Sequence, residues 1–492
     1  MPTAVRTGVS TERRLGRGGG GRSPRASRRR ISIGLVAALE LAALGGPSRL
    51  RAGAAEPSLG ASDPTSLLVP SSVGAEPSPV SAEPTSVSAG PSAGPEATSA
   101  LPSAAPLAPD FREIDALVMQ ALRGGKTPGA VVVVGRRDGV LFQRAYGDKM
   151  VVPVRREMTL DTIFDLASLT KPLVVGTLAA WLLERGELRL SDEVSKYLPE
   201  FRGQGKETVT VEQLLLHTSG LPPSNPLAEY RQGRERARAR AIGSVLEAYP
   251  GRRFIYSDVG YIVLGALIER ITGEGLDQTA ERVLWRPLGM TDTQYCRAVC
   301  SSPRVAPTEL ARGRRSSPIR GEVQDPRAYY LGGVAGHAGL FSTAEDLSRF
   351  ARMLLGQGQL GEQRVLSAAA ERAFTEPRRV PGGLRALGWD VSSHYSHARG
   401  LSLSDSAYGH GGYTGTSLWI DPELDLFVLV LSNRNHPFGT GNVLKLQGTI
   451  ADAAVHALQR ASDESAAPAA LGRLLLGPDT DSPPARLPPS GG

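Results

Sequence analysis

Cysteine is almost absent: Cys296 and Cys300, both in the stretch CRAVC, are the only two in 492 residues. That excludes a disulfide-dense scaffold. Two thiols supply half a zinc shell and no histidine lies near them, so a metal is their weakest reading. In an oxidising compartment they could close a small loop; otherwise they are free thiols. His-Glu-x-x-His is missing, and so is any run of carboxylates at ligand spacing, so neither a metal nor a cofactor is expected. Residues 110–460 also lack Gly-x-Ser-x-Gly, which removes the nucleophile elbow of α/β-hydrolases. Lysine is scarce too, with six in the chain.

Charge is unevenly placed. Residues 1–54 carry eleven arginines against two glutamates, a surplus of nine, while the whole chain is +7; the remainder is weakly acidic at −2. The high pI therefore belongs to the leader, and the body carries no nucleic-acid footprint. Within the leader, the basic RSPRASRRR precedes a short apolar core, ISIGLVAALELAALGG, and the small residues AGA follow at 52–54. This is the pattern of an export signal or membrane-targeting leader, and its apolar run is shorter than the ~20 residues a span needs. An exported, periplasmic or envelope-associated protein is expected, with a possible membrane tether at the N-terminus. Residues 55–109 contain no lysine or arginine and are dense in Pro, Ser, Ala and Gly. They read as a disordered spacer that cannot bury enough apolar surface to order itself. The body spans 110–460, and 461–492 reads as a second disordered tail.

The body opens on an amphipathic helix, FREIDALVMQALRGG. The run GAVVVVGRRDGVLFQRAYG then reads as a hairpin turning at Asp138-Gly139. A second hairpin, TSLWI and LFVLVLSN around Asp421-Pro422, lies near the far end. Helices dominate between them. TVEQLLL carries Thr210 and Gln213 at capping-box spacing, TAEDLSRFARMLLGQG starts at Thr343, and YSDVGYIVLGALIERITG stops at Gly273. The expected fold is α+β: one antiparallel sheet formed from both ends of the body and flanked by helices, with a mainly helical lobe inserted between.

The stretch 164–188, FDLASLTKPLVVGTLAAWLLERGEL, reads as a buried helix interrupted by Ser168, Thr170 and Lys171. Residues three apart on a helix share a face, so Ser168 Oγ and Lys171 Nζ can meet. A serine hydroxyl needs a base to become a nucleophile, and a lysine can be that base where burial lowers its pKa. Ser-x-x-Lys alone has little specificity. Two further stretches add to it: RFIYSDVGYIVLG, with Tyr256-Ser257-Asp258 at a loop-to-helix junction, and YGHGGYTGTSLWIDP, with His410-Gly411-Gly412 before a strand. Read blandly, these are a core tyrosine beside an N-cap and a glycine turn.

Together the three stretches resemble the serine β-lactamase and penicillin-binding-protein superfamily, in its class C-like branch of esterases, D-amino-acid peptidases and β-lactamases. LLLHTSGLP and GGVAGHAGLFSTAEDLSRFARMLL extend the likeness over roughly residues 111–459. The resemblance implies a β-lactamase/transpeptidase-like fold and a metal-free serine hydrolase. It makes Ser168 the nucleophile, Lys171 and Tyr256 the proton relay, and the backbone N–H groups of Ser168 and Tyr413 the oxyanion hole. Asp258, His410, Gly411 and Gly412 would border the substrate.

Two positions depart from the antibiotic-hydrolysing pattern. His410 stands where a lysine is common, so a fixed positive charge for a substrate carboxylate is missing and β-lactam binding should weaken. Asp258 stands where asparagine is usual; it cannot donate an amide N–H, and beside Lys171 it would favour the charged amine and shift proton transfer to Tyr256. Both point to esters or D-amino-acid and cell-wall peptides as substrates. The alternatives are a penicillin-binding or sensor protein that acylates with little turnover, a β-lactamase, or an acyltransferase. His217 and His337 are expected to satisfy loop backbone, the arginines of 231–241 to form a solvated helix face, and Trp181 to be core.

Overall fold

The computed structural model describes residues 108–297, 300–310 and 317–475, with side chains as far as 465. The leader at 1–54, nearly all of the 55–109 spacer and the final residues lie outside the described part. No described helix is long and apolar enough to cross a membrane.

GAVVVVG has β-branched residues at every second and every intervening position, so both faces of its strand can be buried. That strand, Gly129–Gly135, lies inside a nine-stranded antiparallel sheet. On one side it pairs with Val140–Met150, closing the hairpin at Asp138-Gly139. On the other it pairs with Leu426–Ser432, from the opposite end of the body, with Val132 opposite Val430. Beyond Leu426–Ser432 come Ser417–Asp421, Tyr408–Gly411, Asp390–Ser392, Gly383–Arg385 and Arg378–Val380, each antiparallel to its neighbour. Both expected hairpins and the joining of the two chain ends are present.

The two faces of the sheet bury different things. Ala130, Val132, Val134, Val428 and Val430 face the first helix, Arg112–Arg123, and the last helix, through Ile114, Val118, Ile450 and Ala454. Val131, Val133, Leu429 and Leu431 face the larger core, which is continuous with the helical lobe. The last helix runs from Leu444 to Leu475, past the point where a mobile tail was expected. Alanine, leucine, glutamate and arginine are strong helix formers, and an alanine-rich composition alone does not separate helix from tail.

In the lobe, Thr210 Oγ1 accepts from Gln213 N and the Gln213 side chain accepts from Thr210 N, completing the expected capping box. The helix Asp258–Thr272 is capped by Ser257 Oγ on Gly260 N (3.0 Å) and ends at Gly273 with φ +70°. Cys296 and Cys300 are joined as a disulfide. Arg238 and Arg240 of the arginine-rich helix pair with Glu269 and Glu229, so that face is partly held rather than merely solvated. Trp181 is partly buried against the core, with Arg185 and Arg282 over its ring.

The stretch 164–188 is not one helix. A short strand, Phe164–Asp165, gives way to one tight turn at Ala167–Leu169, then a wide π-type turn at Lys171–Gly176, and only then to an α-helix, Thr177–Glu184. Pro172 is the cause: it has no N–H for the Ser168 carbonyl, and in a continuous α-helix its ring would collide with that carbonyl.

Candidate active site

Ser168 follows a strained residue. Ala167 has φ +47°, a left-handed conformation that costs an alanine on the order of 1 kcal/mol. Asp165 holds it there: Oδ1 accepts from Ala167 N (2.9 Å) and Oδ2 from Gln324 N (2.7 Å). Burial pushes the Asp165 carboxyl up to about 7, against the pull of those two backbone bonds.

Lys171 is wholly buried. Its Nζ donates to Ser168 Oγ (3.0 Å) and to the carbonyl of His337 (3.1 Å). It also lies 2.8 Å from Asp258 Oδ1, as an ion pair rather than an aligned hydrogen bond. Burial alone would lower the lysine pKa; the Asp258 carboxylate, and after it Tyr256, outweigh burial and raise it. From the sequence, burial makes Lys171 a base unless Asp258 lies beside it, in which case the charged amine is favoured. The structure meets the second condition: a carboxylate at 2.8 Å stabilises the ammonium more than desolvation destabilises it.

Tyr256 lies over this ammonium, with Nζ 4.9 Å from its ring centroid. The ring stacks on His217 (4.4 Å, 29°) and on Tyr395 (5.0 Å, 25°). His217 Nδ1 accepts from Ser257 N (2.9 Å), so its role in satisfying loop backbone holds, and it also fixes the tyrosine. Its pKa is driven well below the usual value, first by burial and then by Arg385 and Lys171. His337 answers to a side chain instead of loop backbone: its Nε2 lies 2.9 Å from Asp325 Oδ1. Asp325 also caps the helix Pro326–Tyr330 through Arg327 N and Ala328 N. Burial would raise the Asp325 pKa, but His337, Ala328 N–H and Arg327 pull it far below the carboxylate range.

His410 is buried on the strand Tyr408–Gly411. Its Nδ1–H donates to the Gly411 carbonyl (2.8 Å), leaving Nε2 as acceptor. Burial, with Arg385 and Lys171 behind it, keeps the ring neutral by pushing its pKa well below 6.5. The turn after this strand is tied to the residues just before the serine: Thr414 Oγ1 donates to Asp165 O (2.6 Å) and Thr416 Oγ1 to Leu166 O (3.1 Å). These bonds hold the turn that contains Tyr413 against the residues before Ser168. A Cβ on Gly412 would stand 2.2 Å from Thr416 Oγ1 and 2.4 Å from Leu166 O, so only glycine allows this approach. A Cβ on Gly411 would meet no protein atom closer than 3.9 Å. A cavity of about 350 Å³, lined by Tyr256, His410, Gly411, Gly412, Tyr413 and Arg385 among others, opens beside this arrangement.

Every sequence-derived site residue thus falls in one place. The sequence reading missed Asp165, Asp325 and Arg385, and the part His337 plays through its carbonyl. Asp165 had a weak signal, a carboxylate three residues before the serine in an apolar run; Arg385 had none. Among the described residues, Asp258, Asp325 and His337 bring possible ligand atoms within 4.8 Å of one another. Asp258 already faces Lys171, and Asp325 already faces His337.

An antiparallel sheet joining both chain ends, a helical lobe, and a serine whose hydroxyl is held by a buried lysine under a tyrosine define a serine hydrolase of the β-lactamase and transpeptidase type. The family profile described as Beta-lactamase matches residues 114–450, and the chain belongs to that family. An N-acetylmuramyl-L-alanine amidase of Bacillus subtilis is 32% identical over 66% of this chain and 81% of its own length. A putative D-alanyl-D-alanine carboxypeptidase of Escherichia coli K12 is 31% identical over 63% of this chain and 79% of its own. In fold, the chain matches a penicillin-binding-protein homologue from Caulobacter crescentus with a TM-score of 0.57 at 21% identity, covering 70% of this chain and 97% of that one. It matches EstCE1, a hydrolase with promiscuous acyltransferase activity, with the same score at 24% identity, over 70% and 98%.

Proposed function

We propose that the protein is an exported hydrolase that cleaves esters or D-amino-acid and cell-wall peptides through an acyl-enzyme on Ser168. The observation that carries this is the 3.0 Å hydrogen bond from the buried Lys171 ammonium to Ser168 Oγ, beside a cavity bordered by Gly411, Gly412 and Tyr413. The names of the amidase and carboxypeptidase relatives support cell-wall amides as the substrate class. The basic and apolar leader supports export.

In this reading Ser168 Oγ attacks the substrate carbonyl, and the oxyanion forms against the backbone N–H groups of Ser168 and Tyr413. Lys171, held as an ammonium, orients the serine and supplies charge. The proton leaving Ser168 is taken up by the coupled Lys171–Tyr256 pair and passed on to the departing amine or alcohol. Water then attacks the acyl carbonyl and gives its proton to the same pair; the bond from the acyl carbon to Ser168 Oγ breaks, the serine regains a proton from the pair, and the acid is released.

Intact-mass analysis of the chain with a serine-reactive phosphonate and with a p-nitrophenyl ester tests the reading. One phosphonyl group on Ser168, none on Ser168→Ala, and ester turnover are the expected results. Equal labelling of the two proteins would remove Ser168 as nucleophile. A second reading, a penicillin-binding protein that acylates and barely turns over, draws on the Asp258–Lys171 ion pair, since a lysine held charged is a poor base for deacylation. A penicillin adduct that persists on Ser168 would favour it.

A further inference from the structure

We propose that Tyr395 is a positioning residue for the proton relay: it holds the plane of the Tyr256 ring, and with it the direction of the Tyr256 hydroxyl. The proposal rests on the acyl-enzyme reading above. The outer torsion of a tyrosine lies in a broad, two-fold well, so the ring plane is set by what packs on it. His217 stacks on Tyr256 at 4.4 Å and Tyr395 at 5.0 Å, with interplanar angles of 29° and 25°. One face has no room for two such rings, so the two neighbours clamp Tyr256 between them. His217 is buried and tied to Ser257 N, which fixes its side of the clamp. Tyr395 is the open side, 47% exposed and lining the cavity together with Tyr256.

An exposed side chain ordinarily changes rotamer freely, but this one stands on an anchored loop. Tyr395 N donates to Ser393 Oγ (3.1 Å), and Ser393 N donates to Ser396 Oγ (2.7 Å). Both hydroxyls donate to the buried Asp390, Ser393 Oγ to Oδ1 (2.8 Å) and Ser396 Oγ to Oδ2 (2.7 Å). Asp390 in turn accepts from Nη1 of the wholly buried Arg385 (3.2 Å), whose guanidinium lies 5.4 Å from the Phe254 ring. Phe254 closes the circuit, because it meets His394 and Tyr395 edge-on at 5.4 and 5.8 Å. Two aromatic residues of the loop, His394 and Tyr395, thus interlock with Phe254 and Tyr256 across a buried ion pair. A plain cavity wall needs only bulk. This arrangement fixes the orientation of one ring against the ring that carries the proton, and small displacements of such a group are costly to rate.

Steady-state kinetics of the full-length chain with p-nitrophenyl acetate tests this with three variants. Tyr395→Ala and Tyr395→Leu should each lower kcat about tenfold with little change in KM. Tyr395→Phe, which keeps the stacked ring, should recover most of that loss. Leucine keeps the bulk and loses the stack, so a leucine variant as active as the phenylalanine one would overturn the proposal, as would a loss confined to KM. The rate at which the serine-reactive phosphonate labels Ser168, followed by intact mass over hours, extends the comparison to slow variants. On a Tyr256→Phe background no hydroxyl remains to be positioned, so adding Tyr395→Ala should change that rate by less than about twofold. A full tenfold loss there would mean that Tyr395 acts on the substrate instead. Tyr256→Phe alone reads the relay: labelling and turnover at the parent rate would remove Tyr256 from the mechanism and the proposal with it. A slow Tyr256→Phe beside unaffected Tyr395 variants would strike the proposal only.

Discussion

Lys171 Nζ lies closer to Asp258 Oδ1, at 2.8 Å, than to the serine hydroxyl it orients, at 3.0 Å. The amine is therefore committed to its charged form by a residue at the first turn of the helix Asp258–Thr272. Asp258→Asn removes the largest influence that raises the Lys171 pKa and leaves burial, which lowers it, opposed by Tyr256. The neutral amine then becomes available at lower pH. The rising limb of kcat/KM against pH should shift to lower pH, and amide turnover should increase. A limb that stays in place would mean that Asp258 does not control the pair.

Two adjacent glycines should respond differently. Alanine at 412 would drive a methyl group into the Leu166 carbonyl and Thr416 Oγ1. It should cost about 1–3 kcal/mol of stability and most of kcat. Alanine at 411 meets only open space, so the melting temperature should hold while KM rises as the methyl group narrows the substrate side. Thermal melts and steady-state kinetics on both variants make the comparison. Equal losses of stability would refute the placement of Gly411.

Asp165 ties stability to pH. Its pKa is raised to about 7 in the folded protein, against an ordinary value near 4 when unfolded. Between those values the folded state binds the extra proton, so this group's contribution falls as pH rises from about 4 to about 7 and is level above that. Glu371, also pushed to about 7 by burial, acts with the same sign. Asp165→Asn should flatten part of this slope in denaturant midpoints taken from pH 5 to 8. It should also lower kcat by about tenfold, because an amide has one acceptor for the two N–H groups of Ala167 and Gln324. An unchanged slope would remove Asp165 as its source.

Asp325 acts in the opposite direction. Its pKa is depressed, so its contribution is present above about pH 4 and is lost as pH falls below that. Asp325→Ala removes a helix cap and the partner of a buried histidine, and should cost roughly 3 kcal/mol. Because the His337 carbonyl holds Lys171, kcat should fall more than KM rises. The difference between urea midpoints at pH 7 and pH 3 should change between the parent and the variant, the variant losing relative stability at pH 7 more than at pH 3; an equal loss at both pH values would place the effect elsewhere.

Much of this was legible in the chain because local signals and the global fold agree. The two hairpins announce themselves by β-branched runs around Asp138-Gly139 and Asp421-Pro422, and the capping box by Thr210 and Gln213. Ser168, Lys171, Tyr256 and His410 stand in motifs. The break at Pro172 was misread because an apolar run of that length carries helical and non-helical turns alike, and only the collision with the Ser168 carbonyl decides between them. The sign of the Lys171 shift depends on a distance to Asp258, 87 positions later in the chain, which periodicity does not encode. Arg385 was invisible for a plainer reason: an arginine at the end of a short strand is ordinary until its complete burial is known.

The strand that precedes the helical lobe, Gly129–Gly135, hydrogen-bonds to Leu426–Ser432, and Thr414 and Thr416 reach back to the residues before Ser168. A nascent chain that has already delivered Ser168, Lys171 and Tyr256 from the ribosome still lacks Thr414 and Thr416, which brace the two residues before Ala167. On the proposed mechanism, the serine's chemistry therefore waits until synthesis is nearly finished, and a prematurely terminated product would carry the serine without it.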